Sequence, residues 1–373
     1  MNFSSYSIKN KFAWAILIFL LSVLAQANPI FTTTFPTLTY SPAQNNKRIE
    51  LIHADHWFYD EYEHPDAQRL SGNVVFRHDG MILKCDSAVY FQAGNSFEAY
   101  DNVRLTQGDT LSLTGKRMFY DGNEALAEAR ENVILTHRGQ ILTTDSLNYD
   151  RLYGKAYFFD GGKLVDKDNT LTSDWGEYYT DTRQSTFNYN VELINPKFRL
   201  VSDTLHYNTI TKIAEIVGPS NIYSDKNQVA TTHGFYYTQT GQIELFDRST
   251  VLNGENTMIG DSIYYNEKNG IMEAFRNVVY HDKTNKNILS GDYCKYNDII
   301  GEAIAYGNAL AKYYANKQDT LFVHADTLRL FSYNLKTDST FRVLHGYFHA
   351  RAYRSDVQAV SDALAKEPGV VFS

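Results

Sequence analysis

Two cysteines and seven prolines are few for 373 residues. Two cysteines exclude a disulfide scaffold and every multi-cysteine zinc module. After the N-terminal segment, no run reaches the roughly 18 apolar residues of a membrane helix. Basic charge is not in excess: the net charge is −8 at pH 7. That argues against a nucleic-acid binder, which needs a basic face to neutralise phosphates. G-x-S-x-G, P-loop, Rossmann and H-E-x-x-H patterns are missing, as is the calcium-binding nonapeptide of repeat toxins. What the chain does hold is aromatic, with 28 Tyr and 22 Phe, a bias that favours strands over helices. With 43% hydrophobic and 21% charged residues it reads as a folded chain.

Residues 1–27 read as a secretory signal. Lys9 and Lys11 form a basic start, Ala13 to Leu24 a short apolar stretch, and Ala25-Gln26-Ala27 a cleavage site. The expectation is export, with a mature chain beginning at Asn28. Residues 28–47, with Pro29, Pro36 and Pro42, read as a flexible leader, and 48–373 as one β-repeat domain whose last copy is partial.

The repeat is the dominant signal. Cys85-Asp86-Ser87-Ala88-Val89-Tyr90 recurs as Thr144-Asp145-Ser146-Leu147-Asn148-Tyr149, as Ser202-Asp203-Thr204-Leu205-His206-Tyr207 and as Gly260-Asp261-Ser262-Ile263-Tyr264-Tyr265. The aspartate position falls at 55, 86, 116 (Lys), 145, 174, 203, 233 (His), 261, 292, 326 and 362, with spacings of 31, 30, 29, 29, 29, 30, 28, 31, 34 and 36. Two and four residues after it lie apolar and tyrosine columns on one strand face. These supply Trp57, Tyr59, Tyr90, Met118, Tyr120, Leu147, Tyr149, Leu205, Tyr207, Phe235, Tyr237, Ile263 and Tyr265 as inward candidates. An Asn-Val pair recurs in the second half of the repeat and adds Val103, Val133, Val191 and Val278.

Three residues before the aspartate the apolar column has the opposite parity, which needs a bulge or corner. The position just before the aspartate is small in every copy, so the bend is expected there. Each repeat of about 29 residues then reads as two β-arms and two turns. Ten stacked intervals at ~4.8 Å would span roughly 48 Å. Cys85 and Cys294 would lie roughly 34 Å apart, so two free, mostly buried thiols are expected. The inward columns could fill a closed core or line a groove, and the residues alone leave both open.

The A/T/S-D-S/T-L-x-Y phrase, the following G/D/E-N-V and the period resemble the OstA-like (LptA-type) family of lipopolysaccharide-transport periplasmic proteins, over about residues 48–364. The resemblance implies an all-β, elongated stacked-rung β-jelly-roll, or β-taco, whose apolar interior carries acyl chains. It implies edge-to-edge pairing with other transport components or with itself, in the periplasm at the outer membrane of a Gram-negative cell. The physics agrees. A dozen methylenes crossing water cost about 10 kcal/mol at ~0.8 kcal/mol per CH₂, so a multi-acyl glycolipid needs shielding.

No enzyme, cofactor or metal is expected. A carboxylate repeated in register is first a turn or bend cap. His53 and His56 should face opposite sides of a strand. Asp166-Lys167-Asp168-Asn169 reads as a solvated turn rather than a calcium loop. The leading reading is a non-enzymatic lipid carrier or scaffold. The alternative is an outer-membrane β-barrel, which the aromatic content and the signal would also suit.

Overall fold

The computed structural model describes residues 48–356, apart from 60, 61, 63, 64, 226, 285, 298, 317, 318 and 335–339. The expected signal, the leader and the partial eleventh copy near Asp362 lie outside the described residues. The described part is all-β: 24 strands form one antiparallel sheet. Four strands are interrupted at a bend, and both halves of each pair with one continuous neighbour. Leu51 of Glu50–His53 lies opposite Phe76, and Trp57 of His56–Tyr59 opposite Leu70, both on strand Gln68–His78. The 24 strands are therefore 20 bent ones, stacked as a β-jelly-roll.

The bend is written into both strands of every repeat. On the aspartate strand a small residue occupies the inside corner. A Cβ on Gly115 would stand 3.2 Å from the Arg130 carbonyl, and one on Gly291 3.0 Å from that of Tyr306. On the next strand two successive residues are left-handed in most repeats, as in Asp101 (φ 57°) and Asn102 (φ 49°), or Tyr189 (φ 65°) and Asn190 (φ 51°), whereas Gly161, Gly218 and Asp247 stand alone. Asn tolerates that region better than most residues. Its amide then donates to the aspartate of the preceding strand: Asn102 to Asp86 at 2.7 Å, Asn190 to Asp174 at 2.7 Å, Asn277 to Asp261 at 2.9 Å. Where Lys116 replaces the aspartate, Glu131 of the next strand answers at 3.4 Å. The aspartate column is thus a corner clamp.

Each bent strand contributes one half to a first wall (as 81–85) and one to a second (as 87–91). Inward residues of both walls meet in one continuous core, as where Phe76 stacks on Phe97 at 4.2 Å.

Three expectations are corrected. A repeat is a hairpin of two bent strands and advances the stack by two spacings. Twenty strands at ~4.8 Å span roughly 90 Å, about double the single-rung count. Cys85 and Cys294, free and buried, are separated by fourteen strand steps, roughly 67 Å. In the seventh copy the column is displaced by one. Thr231 bonds Ser249 of the next strand at 2.8 Å as Ser202 bonds Ser220 at 2.7 Å, so Thr232 takes the aspartate position. Val229 and Tyr236 face inward there, while Phe235 and Tyr237 face out. That register restores spacings of 29 and 29 around position 232. Finally, Asp166 and Asn169 are buried; only Lys167 and Asp168 form an exposed turn tip.

Candidate functional site

The tyrosine column carries the interior chemistry. Its rings sit in the core and its hydroxyls reach the mouth, where the two walls meet. Tyr90 donates to the Ile49 carbonyl at 2.9 Å. Tyr120 bonds His78 at 2.7 Å and accepts from Arg151 at 2.6 Å. Tyr149 reaches Gln107 at 3.4 Å, Tyr178 reaches His137 at 2.8 Å and Tyr207 reaches Asp166 at 2.8 Å. In each case the first-wall partner precedes the tyrosine by 41 or 42 residues. That offset is three bent strands, so the walls are sheared by three steps along the stack.

Burial raises the phenol pKa of Tyr120, Tyr149, Tyr178 and Tyr207, the last also through the Asp166 charge. The hydroxyls stay protonated and can donate. Burial, with Arg138 and Arg183 nearby, lowers the His137 pKa, so its ring is neutral and can accept from Tyr178. The strongest node is the buried ion pair of Lys212 and Asp166, with side chains 8% and 1% exposed. Asn169 joins it by donating to Tyr207 at 2.9 Å and to Thr238 at 3.2 Å. Together these contacts make a polar seam that closes the mouth. The first-wall column, Ile49, His78, Gln107, His137 and Asp166, recurs every 29 or 30 residues. Its chemistry changes at each copy, so residue identity gave no signal; only its period could have.

Tyr236 departs from this pattern. Asn195, 41 residues earlier, donates instead to Asn169 at 2.8 Å. The Tyr236 ring packs on Phe198 at 4.0 Å, beside an apolar cavity of about 50 Å³. Lys197 and Glu267 bridge the mouth above it at 3.9 Å. Further on the walls part. A cavity of about 560 Å³ lies between Leu289, Ala311, Tyr313 and Val323 of the first wall and Leu330 and Leu344 of the second. Its rows are cross-strand neighbours: Leu289–Ala311–Val323 on one side, Leu330–Leu344 on the other.

The inward candidates separate accordingly. Tyr90, Met118, Tyr120, Leu147, Tyr149, Leu205, Tyr207, Ile263, Val103, Val133, Val191 and Val278 are buried in the packed core. Tyr265 is half-buried beside the small cavity. Trp57, 63% exposed, and Tyr59 lie on the first strand, where the shear leaves the second wall uncovered. Phe235 and Tyr237 are outside. Around the larger cavity, Leu289 and Val323 fall in the apolar column three before the aspartate and Leu330 stands where the tyrosine column has its tenth member, while Leu344 falls in neither.

No cluster of metal-ligating side chains occurs among the described residues. Cys85 and Cys294 are pushed up to about 12 by burial, so neither is a ready thiolate. The described sheet does not close on itself: its first strand pairs only with Gln68–His78 and its last only with Asp319–Asn334. Its fully buried apolar side chains face inward, and scattered ones such as Ile82, Ile134 and Phe275 lie outside. A membrane barrel needs closure and an apolar exterior.

Two family models match the chain. Residues 46–203 match the OstA-like protein family, and residues 155–252 match the lipopolysaccharide-assembly, LptC-related family. No curated protein matches it.

Proposed function

We propose, from the match of residues 46–203 to the OstA-like protein family and of residues 155–252 to the lipopolysaccharide-assembly, LptC-related family, that the protein is a non-enzymatic lipid carrier or scaffold for lipopolysaccharide transport and outer-membrane assembly. The second family is described as one of lipopolysaccharide assembly. The observation that carries the reading is the cavity of about 560 Å³ with leucines on both walls. Ligand sites run to about 300–1,000 Å³ and are mostly apolar, so acyl chains are suitable occupants. Burying them there removes the cost of about 0.8 kcal/mol per exposed CH₂.

The proposed location is the periplasm at the outer membrane, after export by residues 1–27. Other lipopolysaccharide-transport components, or further copies, would pair edge to edge. The three-strand shear supports this, because it leaves the second wall projecting at one end and the first wall at the other. An unpaired strand edge is a template for such pairing.

Photocrosslinking to lipopolysaccharide tests the reading. Probes at Leu330 and Leu344 should label strongly, and probes at the outward Asn148 and His206 should not. Equal labelling of both sets would refute it. Fractionation separates it from a barrel, which would need detergent for release.

A further inference from the structure

The outer face of the second wall changes character along the stack. One outward column runs beside the corner and passes from strand to strand through directly paired residues. In one stretch it reads Ser87–Tyr100–Arg117–Arg130–Ser146, and in another Trp175–Asn188–Thr204–Val217. From Phe246 onward it turns aromatic, with Phe246, Ser262, Phe275, Tyr293 and Tyr306 as successive partners. Tyr264, on the same strand face as Ser262, closes the gap, its ring 6.2 Å from that of Phe246 and 5.7 Å from that of Phe275. Phe275 lies 5.0 Å from Tyr293, and Tyr293 4.4 Å from Tyr306. The rings therefore run unbroken over five strands, and Tyr264, Phe275 and Tyr306 are each more than a third exposed. The bend does not require them, because elsewhere the same column holds serine, arginine, asparagine and threonine. A contiguous exposed apolar row of this kind marks a binding surface.

Polar groups flank the row on both sides. Glu244 and Glu273 stand opposite Tyr264 on the adjacent strands. Glu273 accepts from Tyr293 at 2.6 Å and pairs with Lys295 at 3.8 Å. Along the corner, Arg248 pairs with Asp261 at 2.9 Å, and Asn277 donates to the same carboxylate at 2.9 Å. Shape and charge then select the partner. Five strands at ~4.8 Å and a width of about two residues give a strip of roughly 20 Å by 7 Å, or about 140 Å². A stable protein interface takes about 800 Å² per partner. A peptide strand would seek a sheet edge for its backbone, and this is a face. An anionic bilayer attracts lysine and arginine clusters, whereas Glu244, Glu273 and Asp261 border these rings. A linear polysaccharide suits the strip: its C–H faces can lie on the negative faces of the rings, and its hydroxyls find donors and acceptors on both flanks.

We propose that this strip binds a glycan strand of the cell wall, laid along the stack over Phe246, Tyr264, Phe275, Tyr293 and Tyr306. The row adjoins the corner, whereas the mouth lies three residues further along the same strands, at the tyrosine column. The saccharide of a lipid held inside would emerge at the mouth, away from the strip, so the bound glycan is a separate polymer. That source rests on the periplasmic reading; the strip itself does not depend on lipid carriage. The outside of the stack would hold the wall while the inside stays free for cargo.

Cosedimentation of the full chain with protein-free peptidoglycan sacculi tests the proposal, with the hexamer of N-acetylglucosamine as soluble competitor. The expected result is sedimentation that the hexamer reverses. The triple variant Phe246→Ser/Phe275→Ser/Tyr306→Ser should bind at least tenfold more weakly with an unchanged circular dichroism spectrum, and Tyr100→Ser, upstream in the same column, should bind as the unaltered chain does. Should the triple variant unfold, Phe275→Ser and Tyr306→Ser are read singly. Absence of sedimentation, unweakened binding by the variants, or an equal loss in Tyr100→Ser would overturn the proposal. Tighter binding to the lipid-free saccharide of lipopolysaccharide or to phosphatidylglycerol vesicles would overturn it in favour of that partner. A dimer that the triple variant abolishes would assign the strip to a second copy instead. None of these results touches crosslinking at Leu330 and Leu344, so this inference and lipid carriage fail separately.

Discussion

Replacing Lys212 by Met tests whether the seam holds the walls together. The Lys212 ammonium pairs with Asp166, whose side chain is 1% exposed. Asp166 also accepts from Tyr207 at 2.8 Å and Gln140 at 3.2 Å. Lys212→Met leaves a buried carboxylate with two neutral donors. Breaking a buried pair by removing one partner costs about 3–5 kcal/mol, whereas replacing both by apolar residues is often near neutral. Met keeps the length of the side chain, and the left-handed backbone at 212 (φ 59°) is no worse for Met than for Lys.

A stack of repeats unfolds in neighbouring units rather than as a whole, so the effect is best read locally. Hydrogen exchange in strands Lys155–Phe158 through Phe198–Asn208 should lose protection by roughly 10²–10³-fold, since 1.4 kcal/mol is about tenfold. Strands Met81–Phe91 and Ser96–Gln107 should be unaffected. The double variant Asp166→Leu/Lys212→Met should recover most of the loss. A single-variant cost below about 1 kcal/mol, or a double variant as weak as the single, would refute the claim that this pair ties the mouth.

Tyr120→Phe should cost about 1–2 kcal/mol in urea unfolding, because it strips a bond from buried His78 and one from Arg151; Tyr236→Phe, whose ring packs on Phe198, should be neutral within about 0.5 kcal/mol. Asn190→Ala should destabilise by about 1–2 kcal/mol, losing both the left-handed preference and the bond to Asp174, and Asn190→Gly should recover the backbone share. The folded-state pKa of His137 lies below its ordinary value of 6.5. The unfolded chain therefore binds the proton first, and stability falls as pH drops below about 6.5 until the folded ring also titrates. His137→Gln should flatten that part of a pH–stability profile; an unchanged slope would remove His137 as its source. Both thiols should resist a thiol reagent in the native protein and react on unfolding, since burial holds them at about 12.

The periodic features were local and therefore legible. The small residue before the aspartate, the parity flip and the Asn-Val pair all concern a few consecutive residues, and each marks a corner that steric limits on the backbone impose. The aspartate column read as a bend cap, and the structure supplies its partner, the left-handed Asn one strand on. The seventh copy was misplaced by one because His233 resembles a column residue, although spacings of 30 and 28 where neighbours keep 29 already indicated the slip.

The sequence by itself determined a β-stack of bent strands with a tyrosine turned inward in nearly every repeat. It did not determine what the tyrosines meet. That depends on a shear of three strands between the walls, which pairs Tyr120 with His78 and Tyr207 with Asp166 across 41 or 42 residues. It also depends on how far apart the walls stand. The same apolar columns make a packed core over most of the stack, a small cavity beside Tyr236, and a larger one between Leu289 and Leu344. Hydrophobic pattern specifies which face is inside. Only the tertiary packing decides whether that inside is filled.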